Sequence, residues 1–290
     1  MSPLPPPDPD AAPDGPVASR LRTAPFEVVG RFADASNATL LVRLTDRDPR
    51  PLEELVAAQG GELSIEDLDA DDLAVHKPKG GETPLWDFPD GTLHAREIAA
   101  YEVSAVLGWD LVPVTVAAEG PMGAGSLQRF VRHDPAQHYF HLLEQGAPSV
   151  IDQLRAMVVF DAAIDNADRK GGHVLLEDAE TGVETGVGDG VGEAGLTGRI
   201  RLVDHGVSFH VERKLRTVGW HFAGEPVPTA LRIDLARLGR ELTGGALLER
   251  LQDLLLEQEV ATLADRVGRL VDLEVFPEPS GRNPFPWPML

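Results

Sequence analysis

Apolar and polar positions change rhythm several times along the chain. Residues 26–44, FEVVGRFADASNATLLVRL, set two β-rich runs, 26–29 and 39–44, on either side of a stretch of turn formers. That pattern predicts a hairpin with a long tip. LAVHK at 73–77 reads as a short strand, and residues 94–107 read as a helix closed by Gly108. Residues 113–118 and 126–131 read as two more strands. Ser149, with Asp152 three residues on, reads as the N-cap of a long helix, SVIDQLRAMVVFDAAIDN, whose apolar residues recur at helical spacing. Two strand-like runs follow at 174–176 and 200–203. The span from about 227 to 274 repeats leucines at helical spacing and reads as helical core.

The order is a strand-rich first part with one helix, then a mostly helical second part with one embedded hairpin. This is an α+β chain of two unlike lobes, and two unlike lobes imply a cleft in which a ligand sits. The segments between the elements sharpen the boundaries. Residues 1–17 hold seven prolines and no basic residue, which predicts a disordered tail over 1–22. A front lobe spans 23–132 and contains an acidic insertion at 45–72; residues 51–76 carry eight acids and no Lys or Arg, which predicts a solvated insertion. The helical lobe spans 133–276. Its residues 177–198, with seven glycines and six acids, predict a flexible surface loop. A proline-rich tail, 277–290, is expected to lie extended with Phe285 and Trp287 docked.

Charge and composition narrow the function. The 290 residues include 26 basic and 47 acidic side chains, a net charge of −21. Duplex nucleic acid is excluded as a partner, because it demands a cationic footprint. Nucleotide binding is not excluded, since a few lysines and a divalent ion hold a polyphosphate on an acidic protein. There is no cysteine, so disulfides, thiolate metal sites and a cysteine nucleophile are ruled out; a reducing cytoplasm fits. No apolar run reaches the ~18 residues of a transmembrane span. The start of the chain lacks the basic and apolar regions of a secretory signal, and a cytoplasmic location is the expectation.

Three pieces carry candidate chemistry. In VHKPKGG, residues 75–81, a strand lysine precedes a glycine pair, and Lys77 or Lys79 would set an ammonium group against phosphate oxygens. In DNADRKGGH, residues 165–173, Asp168 and His173 stand five apart on a tight loop between a helix and a strand. Phosphoryl transfer requires a carboxylate near the attacking hydroxyl and a second ligand nearby. In VDHG, residues 203–206, Asp204 ends an apolar strand, and Gly206 lets the chain turn. Each piece alone has a bland explanation as a solvated strand, a helix-capping loop or a strand-ending turn. Their order, Lys77, Glu97, Asp168 with His173, then Asp204, is that of the kinase fold. His133, His138 and His141 lie close in sequence, but no acidic ligand sits at helical spacing to complete a zinc site. Trp86 is read as packing beneath a loop, with a lid over the cleft as the alternative.

The stretches GRFADASNATLLVR, VHKPKGGETPLWDFPDGTLHAREIAAYEVSAVLGWDLVP, DNADRKGGHVLL and RLVDHGVSFH resemble the actinobacterial phosphatidylinositol 3-/4-kinase-like family, a distant relative of phosphoinositide kinases and HipA-type kinases. The resemblance covers most of residues 26–225, and WDFPDGTL is its most specific part. It implies a bilobal protein-kinase-like fold with a small β-rich N-lobe and a mainly helical C-lobe. It implies ATP with Mg2+ or Mn2+, and transfer of the γ-phosphoryl group to a hydroxyl of an unidentified acceptor. By position, Lys77 would contact the α- and β-phosphates and Glu97 would pair with it. Ala35, Ser36 and Asn37 would lie over the phosphates, and residues 128–131, with Gln128 and Phe130, would form the hinge facing adenine. Asp168 would orient the acceptor hydroxyl and Asp204 would bind the metal. The chain departs from the general pattern at His173, where an asparagine is usual. His173 would bind a softer ion such as manganese, contact phosphate, or do neither, and Asn166 would then supply an amide oxygen. His205 replaces the usual aromatic, and the first hairpin lacks G-x-G-x-x-G. A nucleotide-binding pseudokinase scaffold, or transfer of AMP on the same fold, are the alternative activities.

Overall fold

The proline-rich start does not remain a tail. The computed structural model describes residues 4–33, 35–184, 193–281 and 283–290, and α1 (Pro16–Thr23) forms within the segment expected to be disordered. A proline in its first turn is pre-set for a helix, and Ala18 and Leu21 are buried. The predicted hairpin follows as β1 (Phe26–Arg31) and β2 (Leu40–Leu44). After α2 (Leu52–Ala58) come β3 (Leu73–Pro78), α3 (Leu93–Leu107), β4 (Thr115–Gly120) and β5 (Gly123–Arg129). The five strands form one antiparallel sheet in the order β1-β2-β3-β5-β4.

The register decides which side chains share a face. Val75 lies opposite both Leu41 and Gln128, Lys77 opposite Ser126, and Gln128 opposite Thr115. Directly paired residues point to the same side, so Lys77 shares its face with these and with Leu73, four residues before it. The acidic insertion covers part of this face. Most of its acids stay in solvent, while Asp72 pairs with Arg20 at 2.6 Å; Leu68 is buried with Leu41 and Leu73, and Leu55, Leu63, Ile65 and Phe130 pack around them. Arg132 fastens the insertion by donating to the Leu68 carbonyl at 2.9 Å. The insertion is thus docked by an apolar underside, where a wholly solvated one was expected.

The second lobe comprises α4 (Tyr139–Gln145), α5 (Pro148–Ile164), the antiparallel hairpin of β6 (Val174–Glu184) and β7 (Glu193–Leu202), and then α6 (Thr229–Gly244), α7 (Ala246–Gln252) and α8 (Glu257–Val271). Ala147, not Ser149, is the N-cap of α5, because Pro148 takes the first helical position. The predicted glycine loop is shorter than expected. The two strands continue to Glu184 and resume at Glu193, and the centre of that loop lies outside the described residues. The helical span reads as one block in sequence but is three helices. Leu231, Leu235, Leu238 and Leu242 of α6 meet Leu263 and Val267 of α8, each buried leucine contributing about 1.5–3 kcal/mol.

One helix joins the lobes. α3 is buried on nearly every side, as a helix without a polar face must be. Arg96 pairs with Glu259 of α8 at 2.5 Å and donates to the Ser208 carbonyl at 2.6 Å. Arg250 of α7 bonds Glu102 at 2.6 Å. Arg237 of α6 donates to the carbonyls of Val106 and Leu107 at the end of α3, where cations are favoured. Among the described residues no helix is long and apolar enough to cross a membrane.

Candidate active site

The face of β3 that carries Lys77 looks across to α3 and to the end of β7. The Lys77 ammonium bonds Glu97 of α3 and lies 3.0 Å from Asp204 just past β7. Burial alone would lower the lysine, but the two carboxylates raise it above its ordinary value. Lys77 holds Asp204 well below the usual carboxylate range. Burial alone would raise Glu97, yet Lys77 and His205 hold it down at about 2. Glu97 has a further task. Its carboxylate accepts the main-chain N–H groups of His205 at 3.0 Å and Gly206 at 3.1 Å, so it also shapes the turn that presents Asp204. Asp204 adopts φ +64°, a left-handed conformation uncommon for a residue with a Cβ and held here by its neighbours.

The loop after α5 supplies the other half. Asp165 ends the helix in a left-handed conformation, φ +55°. Asn166 is fully buried, and its side-chain oxygen accepts the Asp168 N–H at 2.9 Å, aiming the Asp168 carboxylate outward. That carboxylate lies 3.2 Å from the Lys170 ammonium. Burial raises Asp168 above the usual carboxylate range, with Lys170 opposing and the charge of Asp204 adding to the rise. Beneath the loop Arg169 is buried against both oxygens of Asp161 at 3.1 Å, and donates to the Val203 carbonyl at 2.6 Å. One guanidinium therefore fixes the catalytic-loop backbone relative to the strand that delivers Asp204.

A cation's fit follows from the donors present. His173 Nε2 lies 3.4 Å from Asp204 Oδ2, and burial pushes the imidazole down to about 4, so it is neutral at pH 7 and free to ligate. The buried Asn166 offers a cation only its Oδ1, which already accepts the Asp168 N–H; its Nδ2, without a hydrogen-bond partner among the described residues, is a donor suited to a phosphate oxygen. No three His, Asp or Glu side chains converge on one point among the described residues. Such a set suits a divalent ion that completes its shell with phosphate oxygens and water, and does not suit an ion held by protein alone.

No protein-family profile matches the chain. It is 37% identical over 292 residues to Protein Rv2133c of Mycobacterium tuberculosis, covering 90% of this chain and 91% of that protein. The chain belongs to the family of that mycobacterial protein. Solved structures align more loosely. The Golgi casein kinase with Mn/ADP bound covers 87% of this chain and 73% of its own, at 12% identity and a TM-score of 0.44. The Helicobacter pylori proinflammatory kinase CtkA covers 88% and 94%, at 9% identity and 0.46. The hydra Fam20 with sugar covers 91% and 90%, at 14% identity and 0.44. These likenesses are too distant to assign an activity.

In this member of the Rv2133c family some predicted residues stand apart from the charged cluster. Lys79 is exposed in the turn after β3, so Lys77 is the lysine of the cluster. Ser36 and Asn37 sit at the tip of the β1–β2 hairpin, tied to Thr83: the Asn37 side-chain oxygen accepts the Thr83 N–H at 2.7 Å. Gly81 permits this approach, because a Cβ there would lie 2.3 Å from the Ala38 Cβ. The Gln128 amide is committed to Thr115 Oγ1 at 2.8 Å, and Phe130 packs beneath the insertion, so neither side chain is left to face a base. Trp86 is 93% exposed, where packing was expected, with the Lys214 ammonium 5.1 Å from its ring centre. Trp287 is 89% exposed and so is not docked as expected. His133 bonds the Val131 carbonyl. Sequence reasoning missed Lys170, the Asp161–Arg169 pair and Arg96–Glu259. An aspartate within the apolar run of α5 was the one available signal.

Proposed function

We propose that the chain is an ATP-dependent phosphotransferase. The observation that carries this reading is the Lys77 ammonium bonded at once to Glu97 of α3 and Asp204 after β7, with the Asp168 carboxylate facing the same cleft. Lys77 contacts the phosphates nearest the ribose, and Glu97 holds it there. Asp204, with His173 or the amide oxygen of Asn166, would hold Mg2+ or Mn2+, which when bound would neutralise charge on the phosphate oxygens. The acceptor oxygen forms a bond to the γ-phosphorus as the bridging P–O bond breaks. ADP leaves with the electron pair, and Asp168 takes the hydroxyl proton. Lys170, beside Asp168, offsets charge on the transferring group. Most of the acceleration comes from positioning and fixed charges.

The narrower likeness to phosphatidylinositol 3-/4-kinase-like proteins supports the fold and the roles above, but a lipid acceptor gains nothing from a chain of net charge −21. The test is Asp168→Asn. Transfer should fall by about 10²–10⁴-fold with nucleotide affinity nearly unchanged. Full transfer in this variant removes Asp168 as the base. Nucleotide bound without any ATP consumed, across magnesium and manganese, would instead make the protein a nucleotide-binding scaffold. A gain of nucleotide mass on the acceptor would make it an AMP transferase.

A further inference from the structure

The end of the chain lies against the catalytic loop. Gly171 donates its N–H to the Met289 carbonyl at 2.7 Å, while Thr217 N–H and Trp220 Nε1 both donate to the Pro284 carbonyl, at 3.2 and 2.8 Å. These bonds strap residues 283–290 across the loop. The approach is close: a Cβ on Gly171 would lie 2.9 Å from the end of the Leu290 side chain and 3.3 Å from the Met289 carbonyl oxygen. Between strap and loop is a cavity of about 800 Å3 lined by Asp168, Arg216, Asn283, Phe285, Trp287 and Met289. That volume is the size of a small-molecule site.

The lining has a specific chemistry. Arg216 is exposed, and no carboxylate lies within ion-pair distance of it among the described residues. Its cationic neighbours are committed: Arg169 to Asp161, Lys170 to Asp168, and Lys214 to Asp87. Arg216 is distinguished by its place, beside the proposed base, where its charge opposes the effect of burial on Asp168. The ring of Trp287, almost wholly exposed, offers a flat face for a carbon skeleton.

We propose that this cavity is the acceptor site, and that it takes a small soluble polyol bearing an anionic group. Arg216 holds the anion by charge-assisted hydrogen bonds, Trp287 lies against the carbon skeleton, and a free hydroxyl is left at Asp168. This deepens the phosphotransferase reading and rests on it.

The test uses the full chain with labelled ATP and matched pairs: glycerol with glycerol 3-phosphate, and glucose with glucose 6-phosphate. The anionic member should be favoured at least about tenfold in kcat/KM, and the preference should vanish in Arg216→Ala with nucleotide affinity unchanged. Trp287→Ala should raise KM for both members, and Trp287→Phe should restore most of it. The proposal is overturned by equal use of both members, or by a preference that survives Arg216→Ala. It is also overturned if both pairs are ignored while casein or anionic phospholipid vesicles are labelled. ATP binding with no labelling, and no inhibition of ATP consumption by inorganic phosphate, overturns it as well. Failure of the underlying reading looks different: ATP is then bound without any being consumed, or wild-type chain and Lys77→Ala bind it equally poorly.

Discussion

The two halves of the cleft are built in different ways. On the nucleotide side, Lys77, Glu97 and Asp204 come from a central strand, a buried helix and the end of a strand, and each is bonded to another. On the acceptor side, Asp168, Arg216 and Trp287 come from loops and an extended strap, and Arg216 is left unpaired among the described residues. In the phosphotransferase reading, the preformed charged cluster fixes where a triphosphate would sit. An open wall of loops leaves the choice of acceptor to be changed without disturbing that cluster.

Substitutions can break or sharpen this contrast. The largest effect on nucleotide binding belongs to Lys77→Met, which leaves Glu97 and Asp204 facing each other without a cation. Nucleotide affinity should fall on the order of 100-fold by calorimetry, from loss of charge-assisted bonds. An unchanged affinity would dissolve the nucleotide half. Next comes Arg96→Ala, which strands Glu259 in the interior. Denaturant unfolding should show a loss of about 3–5 kcal/mol, largely regained in the double variant Arg96→Met with Glu259→Met. A loss below about 1 kcal/mol would mean that water reaches this pair.

A chain ending at residue 281 should keep nucleotide affinity within about twofold while losing transfer, because the strap touches only the acceptor half. Equal losses of both would erase the distinction. The smallest effect concerns the seam between the lobes, where Glu177 bonds Arg129 and Arg201. Burial would raise Glu177, but the two arginines hold it below its ordinary value. Its folded value is depressed, so its stabilisation is present above the unfolded value and is lost as pH falls through the folded one. Glu177→Gln should therefore flatten acid unfolding below about pH 4.5, by about 1 kcal/mol. An identical acid profile would remove Glu177 from the seam.

The same contrast explains what the sequence could tell. Lys77, Glu97 and Asp204 were readable because each sits at a fixed place on a regular element, and strand and helix periodicity announce those places. The side-chain partners of Gln128 and Phe130 could not be read, because they are set by strand register and by a distant insertion, neither of which leaves a local mark. The insertion itself looked solvated because eight acids outnumber the few apolar residues beneath it, which have no simple period. Trp86 lies in a turn and the strap in irregular chain, where no repeat distinguishes a packed aromatic from an exposed one.

The anchoring of α3 to α6, α7 and α8 has a mechanical consequence. This helix is moored to the back lobe by ion pairs and packs against β4 and β5 of the sheet as well, so opening of the cleft must strain one of those two contacts. The Lys77–Glu97 bond lies between the sheet and α3 and is stretched by any opening on the sheet side. An empty protein can breathe there, but it cannot idle by swinging Glu97 away, because the buried Arg96 one residue earlier is moored to Glu259. Any switch acting on this chain would have to work at the rim where the acceptor arrives.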